Sequence, residues 1–263
     1  MTAELTIAKK FFDNVYGKRF VDQGNIRHDG REGHWLETQM DIIHNGNNAP
    51  DILGYEMKNQ TTSKTTFGDW SPNEAVWNVN RGLSEGYYLP RSEFLRIFGK
   101  PNILKQNRHS WSGEPAPKYG IFNTFGQMLT FDDSNNLIAI YSYDNDSRFN
   151  KSDIIPVAMR NRPIVLARWY GFDLEAKLQN KFGVRGWFKC IKDMSGRYCE
   201  IAFAPPISYE NWKRCIVSGS VFFDPGMYDG NSRPYSQWRA NNAYWDNLIT
   251  TRYNASNRHL VIP

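Results

Sequence analysis

Cysteine is scarce in this chain: three residues, Cys190, Cys199 and Cys215, with no Cys-x-x-Cys pair among them. That count excludes an even disulfide framework, and no clustered histidine joins the cysteines to make a zinc site. A reducing, cytoplasmic compartment is the expectation. Long apolar runs are missing as well. No stretch reaches the length needed to span a bilayer, and residues 1–10 lack the apolar centre of a secretory signal. There is no fixed-period repeat and no low-complexity tract, which sets aside solenoids and disordered arrays. One-sided charge is also lacking. The net charge is +5 over 263 residues, and lysine and arginine are spread along the chain instead of gathered in a tail. A folded, basic-lined cleft suits this distribution better than a disordered basic arm.

Aromatic residues, by contrast, are plentiful, with 9 Trp, 14 Tyr and 16 Phe. Most must be core; a surplus serves surfaces that contact bases. Hydrophobic residues at 40% and charged residues at 22% describe a chain able to build one large domain or two packed lobes. Periodicity predicts helices over residues 5–12, 33–43, 92–98, 172–182 and 208–215, and a helix start with proline in its first turn at 71–74. Hairpins are predicted for 119–131 with 137–143 and for 186–193 with 197–204, and strands for 51–59, 164–169 and 218–224. Residues 225–242 read as an aromatic and polar loop, and the polar run 144–153 as a lobe boundary. Early helices followed by antiparallel hairpins indicate an α+β chain, or an α/β-like mixed central sheet flanked by helices.

The run Ala49-Pro50-Asp51-Ile52-Leu53-Gly54-Tyr55-Glu56-Met57-Lys58 carries the most chemistry. It spells Pro-Asp, four residues, then Glu-x-Lys. Two carboxylates can hold a hard divalent cation through oxygen, and an adjacent lysine can orient a water or offset phosphate charge. On a strand, Tyr55 and Met57 would face a core while Glu56 and Lys58 share the other face. The bland alternative is a solvated Glu/Lys pair. Upstream, Gly33-His34-Trp35-Leu36-Glu37 adds a third acid fourteen positions before Asp51. Glu37 is either a surface residue of an amphipathic helix or a further carboxylate near the same cation. His28, His34 and His44 lie near these acids and suit phosphate contact, packing or, less simply, a zinc or iron site.

A Gly-x-x-Leu-Glu segment followed at this distance by Pro-Asp and Glu-x-Lys resembles the MutH-related branch of the PD-(D/E)xK nucleases, and most closely the MvaI/BcnI-type restriction endonucleases. The resemblance is clearest over residues 30–58, with a weaker echo at Gly219-Ser220-Val221-Phe222-Phe223-Asp224 and the Gly/Arg/Trp-rich stretch after it. It implies a restriction-endonuclease-like core with a DNA-recognition lobe, the catalytic part mainly within residues 1–150 and the recognition part mainly within 151–263, with DNA in a cleft between them. It implies Asp51 and Glu56 as Mg2+ ligands, with the Ile52 carbonyl as an additional one, Lys58 as the catalytic lysine and Glu37 as the auxiliary acid. Mn2+ would substitute for Mg2+. The implied activity is sequence-specific hydrolysis of double-stranded DNA leaving 5′-phosphate ends, by a monomer, with a cognate DNA methyltransferase encoded nearby. MutH proteins themselves place more residues between the Asp and the Glu, so the restriction-enzyme spacing fits better. A MutH-like strand-nicking repair enzyme is the second reading, and a non-catalytic DNA- or glycan-binding module the third.

Two segments are rich in side chains that reach base edges. The first contains Lys105, Asn107, Arg108 and His109. The second contains Arg233, Tyr235, Gln237, Arg239, Asn241 and Asn242. For the first, recognition and an ordinary polar loop are equally supported; for the second, the family echo favours recognition. Asp224 is either an acceptor for a cytosine amino group or a turn cap. Lys64 and Arg81 are either phosphate clamps or solvated side chains.

Overall fold

Four strands form the sheet that carries the acidic motif. Across it they run Glu56–Asn59, Trp187–Lys192, Tyr198–Ala204 and Thr251–Asn254, in a computed structural model that describes residues 1–21, 30–43, 48–83 and 86–261. The first pair is parallel and the others antiparallel. Register sets Glu56 beside Trp187, Met57 beside Phe188 and Lys58 beside Lys189, then Phe188 beside Phe203 and Cys190 beside Ile201. The pleat sorts these residues onto two faces. Tyr55, Met57, Phe188, Cys190, Ile201 and Phe203 belong to one core with Ile7, Ala8, Phe11 and Phe12 of the helix Ala3–Asn14 and Leu36 of the helix Arg31–Gln39. The first helix starts where the Thr2 hydroxyl accepts from the Leu5 N–H, and Glu4 in its first turn suits the positive end of the helix dipole. The second face keeps Glu56, Lys58, Trp187 and Lys189, as the alternation of the motif predicts.

This sheet belongs to a unit made of Met1–Thr65, Ala176–Asn211 and Asn241–Pro263; a second unit comprises Thr66–Glu175 and Trp212–Ala240. The units interleave along the chain, whereas the sequence reading set a single boundary near residue 150. The polar run there is not a linker. It ends the strand Leu137–Asp146, where buried Asp146 accepts from the Tyr141 hydroxyl at 3.0 Å and from Arg148 Nη2 at 2.6 Å. Its polarity serves an internal ion pair.

The second unit contains two sheets. One runs Lys64–Asp69, Tyr235–Asn241, Val221–Tyr228, Arg108–Trp111, Lys100–Asn102; the other runs Glu74–Ala75, Ile164–Trp169, Leu137–Asp146, Phe125–Phe131. Edge-to-face rings fill its core: Trp111 with Phe223 at 5.4 Å, Trp169 with Phe223 at 5.1 Å and Trp169 with Trp238 at 5.5 Å between centroids. Such pairs add about 0.5–1.5 kcal/mol each beyond their buried area. Much of the aromatic surplus is therefore structural. The α+β class holds, with sheets flanked by helices. Among the described residues no helix is long and apolar enough to cross a membrane.

Two local expectations are corrected. Residues 71–74 do not start a helix: Glu74–Ala75 is a strand paired with Arg168 and Ala167, held by an ion pair between Glu74 and Arg168 and by the Tyr170 hydroxyl donating to Glu74 at 2.6 Å. Cross-strand partners far along the chain outweigh the local helix-start signal. Residues 225–242 are not a loop. Val221–Tyr228 runs on through Pro225 and Gly226, Tyr235–Asn241 is its antiparallel partner, and Asn242–Asn247 is a short helix. Ser236, Trp238 and Ala240 are buried, and the polar residues between them masked a two-residue alternation.

Gln127, fully buried in the second unit, accepts from Trp111 Nε1 at 2.7 Å and donates to the Phe98 carbonyl at 2.8 Å. Gln127→Ala strands both partners and opens a cavity, so a loss of about 2–4 kcal/mol is expected in urea unfolding. A change under about 0.5 kcal/mol would show that neither bond contributes.

Candidate active site

The spacing between Asp51 and Glu56 is explained by one turn. Tyr55 N–H donates to the Ile52 carbonyl at 2.8 Å, and Ile52 N–H donates to the Tyr55 carbonyl at 3.1 Å. Between them Leu53 and Gly54 both have positive φ, 49° and 84°. This is a two-residue turn of type I′ handedness, which reverses the chain tightly. Asp51 is thereby folded back along the strand it precedes, and Met57 N–H donates to its Oδ2 at 2.8 Å. A Cβ at Gly54 would stand 2.9 Å from Val184 Cγ1, so this glycine answers to both conformation and space.

Glu56 and Lys58 are buried, only 3% and 8% exposed, which rules out the solvated-pair reading. Lys58 Nζ lies 2.9 Å from Glu56 Oε1, and a second ammonium, Lys181 Nζ, lies 3.1 Å from the same oxygen. Glu56 Oε2 is buried with no hydrogen-bond partner among the described residues. Burial first, and the Glu56 charge next, push the Asp51 carboxyl up from 3.8 to about 6, against the pull of Met57 N–H, Lys58 and Lys181. Burial holds the Lys58 ammonium below the usual lysine range, with Glu56 opposing and Lys181 reinforcing the shift. Lys58 also sits 5.0 Å over the Phe182 ring and 5.8 Å over Trp245, which restrict where its ammonium can go.

Lys181 is the functional candidate that motif reasoning missed. It stands one residue before the end of the helix Gly171–Phe182. The buried stripe Leu174, Leu178 and Phe182 was readable from spacing, but nothing local says that the flank of that stripe faces Glu56.

Glu37 is carried by a different element. It follows Leu36 on the helix Arg31–Gln39, and its Oε2 lies 3.4 Å from His34 Nδ1 one turn earlier. Among the described residues no group of three His, Cys, Asp or Glu is placed to hold a metal. Leu36 faces the core, and the helix geometry leaves the following acid beside its i,i+3 neighbour. His28 and His44 lie outside the described residues. The donor set available for a divalent cation is therefore Asp51 and Glu56 with backbone oxygen. The Ile52 carbonyl already accepts from Tyr55 and keeps one lone pair. A crowded carboxylate pair with one bare buried oxygen fits a small hard cation, which would relieve both the repulsion and the missing hydrogen bond.

The two segments expected to contact bases come together on the five-stranded sheet. Arg108–Trp111 and Tyr235–Asn241 flank the strand Val221–Tyr228. Tyr235, Gln237, Arg239 and Asn241 alternate with the buried residues and so share the outer face. Arg239 Nη1 lies 3.0 Å from Asp224 Oδ2, and its Nε donates to Thr66 Oγ1 at 3.0 Å. Asp224 is thus a partner of Arg239 and not a turn cap. The Arg108 guanidinium lies 3.8 Å over the Tyr228 ring. His109 is half-buried on the Arg108–Trp111 strand, while Lys105 and Asn107 are exposed just before it. Arg233 is exposed and pairs with Asp69 at 3.0 Å. Asn242 is committed elsewhere: its side chain donates to the Thr61 carbonyl at 2.8 Å and accepts from the Thr61 hydroxyl at 2.9 Å. Arg81 is exposed at the end of a short helical turn, Val79–Arg81; Lys64 opens the strand Lys64–Asp69, half-exposed.

A mixed sheet bearing two carboxylates and a buried lysine on one ribbon is the construction of a restriction-endonuclease-like nuclease. The fold matches that of the restriction endonuclease MvaI in complex with its cognate DNA, with a TM-score of 0.57 over 97% of this chain and 99% of that one at 15% identity. The model of the LlaMI restriction endonuclease family matches residues 17–253. The chain is 46% identical over 256 residues to the type II restriction enzyme ScrFI of Lactococcus lactis subsp. cremoris, covering 91% of this chain and 94% of that one. The chain belongs to the LlaMI restriction endonuclease family and is a type II restriction endonuclease.

Two outcomes follow from the turn and the charge pair. The folded protein binds the Asp51 proton more tightly than the unfolded chain, so this group stabilises the fold below about pH 4 and costs stability as pH rises towards 6. Asp51→Asn in metal-free protein at pH 8 is expected to gain about 2 kcal/mol, roughly 4–8 °C in thermal midpoint, while losing cleavage. An unchanged or lower midpoint would contradict the crowding. Gly54→Ala is expected to lose about 1–3 kcal/mol in denaturant unfolding and most divalent-cation affinity.

Proposed function

We propose that the enzyme hydrolyses double-stranded DNA at a specific sequence with Mg2+ held by Asp51, Glu56 and backbone oxygen, leaving 5′-phosphate and 3′-hydroxyl ends. The observation that carries this reading is the bare, buried Glu56 Oε2 beside an Asp51 carboxyl pushed up to about 6. A cation held there would supply polarisation of the phosphodiester and a more acidic water. Asp51 and Glu56 orient it, and the Met57 N–H fixes the Asp51 carboxylate. Lys58, confined by Phe182 and Trp245, holds the attacking water and offsets the charge that builds on the phosphate. Mn2+, with similar preferences for oxygen, would substitute.

The outer face of the five-stranded sheet is the proposed recognition surface. Arg239, steadied by Asp224 and Thr66, is suited to bidentate pairing with guanine O6 and N7, and Gln237 and Asn241 to adenine. Lys105, Asn107, Arg108, His109, Arg233 and Tyr235 supply phosphate and further base contacts. MvaI, a structural relative, was solved on its cognate DNA. Action as a monomer in the cytoplasm, cutting the strands in turn, with a protective methyltransferase encoded nearby, completes the proposal.

Plasmid digestion with mapped ends is the direct test. Asp51→Ala and Lys58→Ala should each lose at least about 100-fold in cleavage rate while still binding DNA. Wild-type rates from either variant would end the assignment. Proton and cation compete for Asp51, so Mg2+ affinity should fall about tenfold per pH unit below pH 6 and level off above it. A flat profile from pH 5 to 8 would exclude Asp51 as a ligand. Arg239→Ala should cost about 1–3 kcal/mol of discrimination at one base pair and leave non-specific binding almost intact.

A further inference from the structure

Lys181 belongs to no part of the acidic motif, yet its ammonium lies 3.1 Å from Glu56 Oε1, the oxygen that Lys58 already binds at 2.9 Å. The charges explain why two are present. Asp51 and Glu56 together carry two negative charges, and Lys58 with Lys181 carries two positive ones. The site without a cation is balanced only if both lysines stay. When a divalent cation, the attacking hydroxide and one phosphodiester are added, the sum is again balanced with both lysines present. Lys181 is thus needed in both states, but not in the same place. A divalent cation on Glu56 repels an ammonium sharing that carboxylate, and the bound phosphodiester is the new anion within reach.

The two lysines differ in freedom. The Lys58 side chain is 10% exposed and lies against the Phe182 and Trp245 rings. That of Lys181 is 22% exposed and projects from the second-last residue of a helix that ends at Phe182, with Gly183 next. Its stem of four methylenes lets the ammonium shift several ångströms without moving the backbone.

We infer that Lys181 is a second catalytic lysine that exchanges partners: it neutralises Glu56 while no cation is bound and moves to a non-bridging oxygen of the scissile phosphate when one is. This rests on Asp51 and Glu56 being the cation-holding pair. In the cation-free enzyme Lys181 competes with the cation, and in the loaded complex it stabilises the transition state.

The test measures Mn2+ binding to DNA-free protein by calorimetry, and single-turnover cleavage, for wild type, Lys181→Met, Lys181→Gln, Lys181→Arg and Asp51→Ala. Near-ultraviolet circular dichroism identifies the variants that fold, and the Met and Gln forms back each other up. Lys181→Met or Lys181→Gln is expected to bind Mn2+ about tenfold more tightly than wild type, because its competitor is gone. The same variant should cleave at least about 100-fold more slowly with DNA affinity nearly unchanged, and Lys181→Arg should recover much of the rate. Unchanged or weaker Mn2+ binding, or a wild-type cleavage rate, in a folded Met or Gln variant overturns the exchange. Retention of Mn2+ binding by Asp51→Ala overturns instead the assignment of the ligand pair on which it rests.

Discussion

Two carboxylates forced together at the entry of one short strand are the constraint on which the candidate site depends. Asp51 is brought beside Glu56 by a turn that requires two residues of positive φ; Glu56 is buried and Asp51 partly so. Such an arrangement is unfavourable in isolation. It is tolerated because two ammonium groups converge on Glu56 Oε1 and a backbone N–H steadies Asp51. One oxygen, Glu56 Oε2, is still left without a donor among the described residues. Such crowding suits the cation proposed for this pair, and the fold supplies the rigidity that keeps it.

That rigidity comes from the opposite side of the same sheet. Tyr55 and Met57 alternate with the site residues and are locked into a core with Phe188, Phe203 and the first helix. A parallel neighbour, Trp187–Lys192, sets the register of the acidic strand, and a one-residue slip would exchange core and site. Fold stability and the geometry of the candidate site are thus two faces of one pleated ribbon. The proposed recognition surface follows the same rule on a different sheet, with Trp238 inward and Arg239 outward.

The second unit spends many aromatic residues on its interior. The proposed role of Gln237, Arg239 and Asn241 at base edges needs fixed positions, since base-edge hydrogen bonds tolerate little displacement. The rings of Trp111, Trp169, Phe223 and Trp238 provide that stiffness, and Asp224 with Thr66 fixes the arginine itself.

What the amino-acid order determined alone was local. The Pro-Asp and Glu-x-Lys spacing, the alternation of Tyr55 and Met57 with Glu56 and Lys58, the two hairpins and the helix ending at Phe182 all depend on neighbours within a few positions. These are the distances over which pleat and helix repeats act. The placement of Lys181 on Glu56 and the meeting of Arg108–Trp111 with Tyr235–Asn241 across a third strand depend on residues far apart in the chain. So do the interleaving of the two units at points other than residue 150 and the turning of Glu37 towards His34. No periodicity encodes such encounters. They are settled by which faces can be buried together, and only the packed tertiary structure makes that choice.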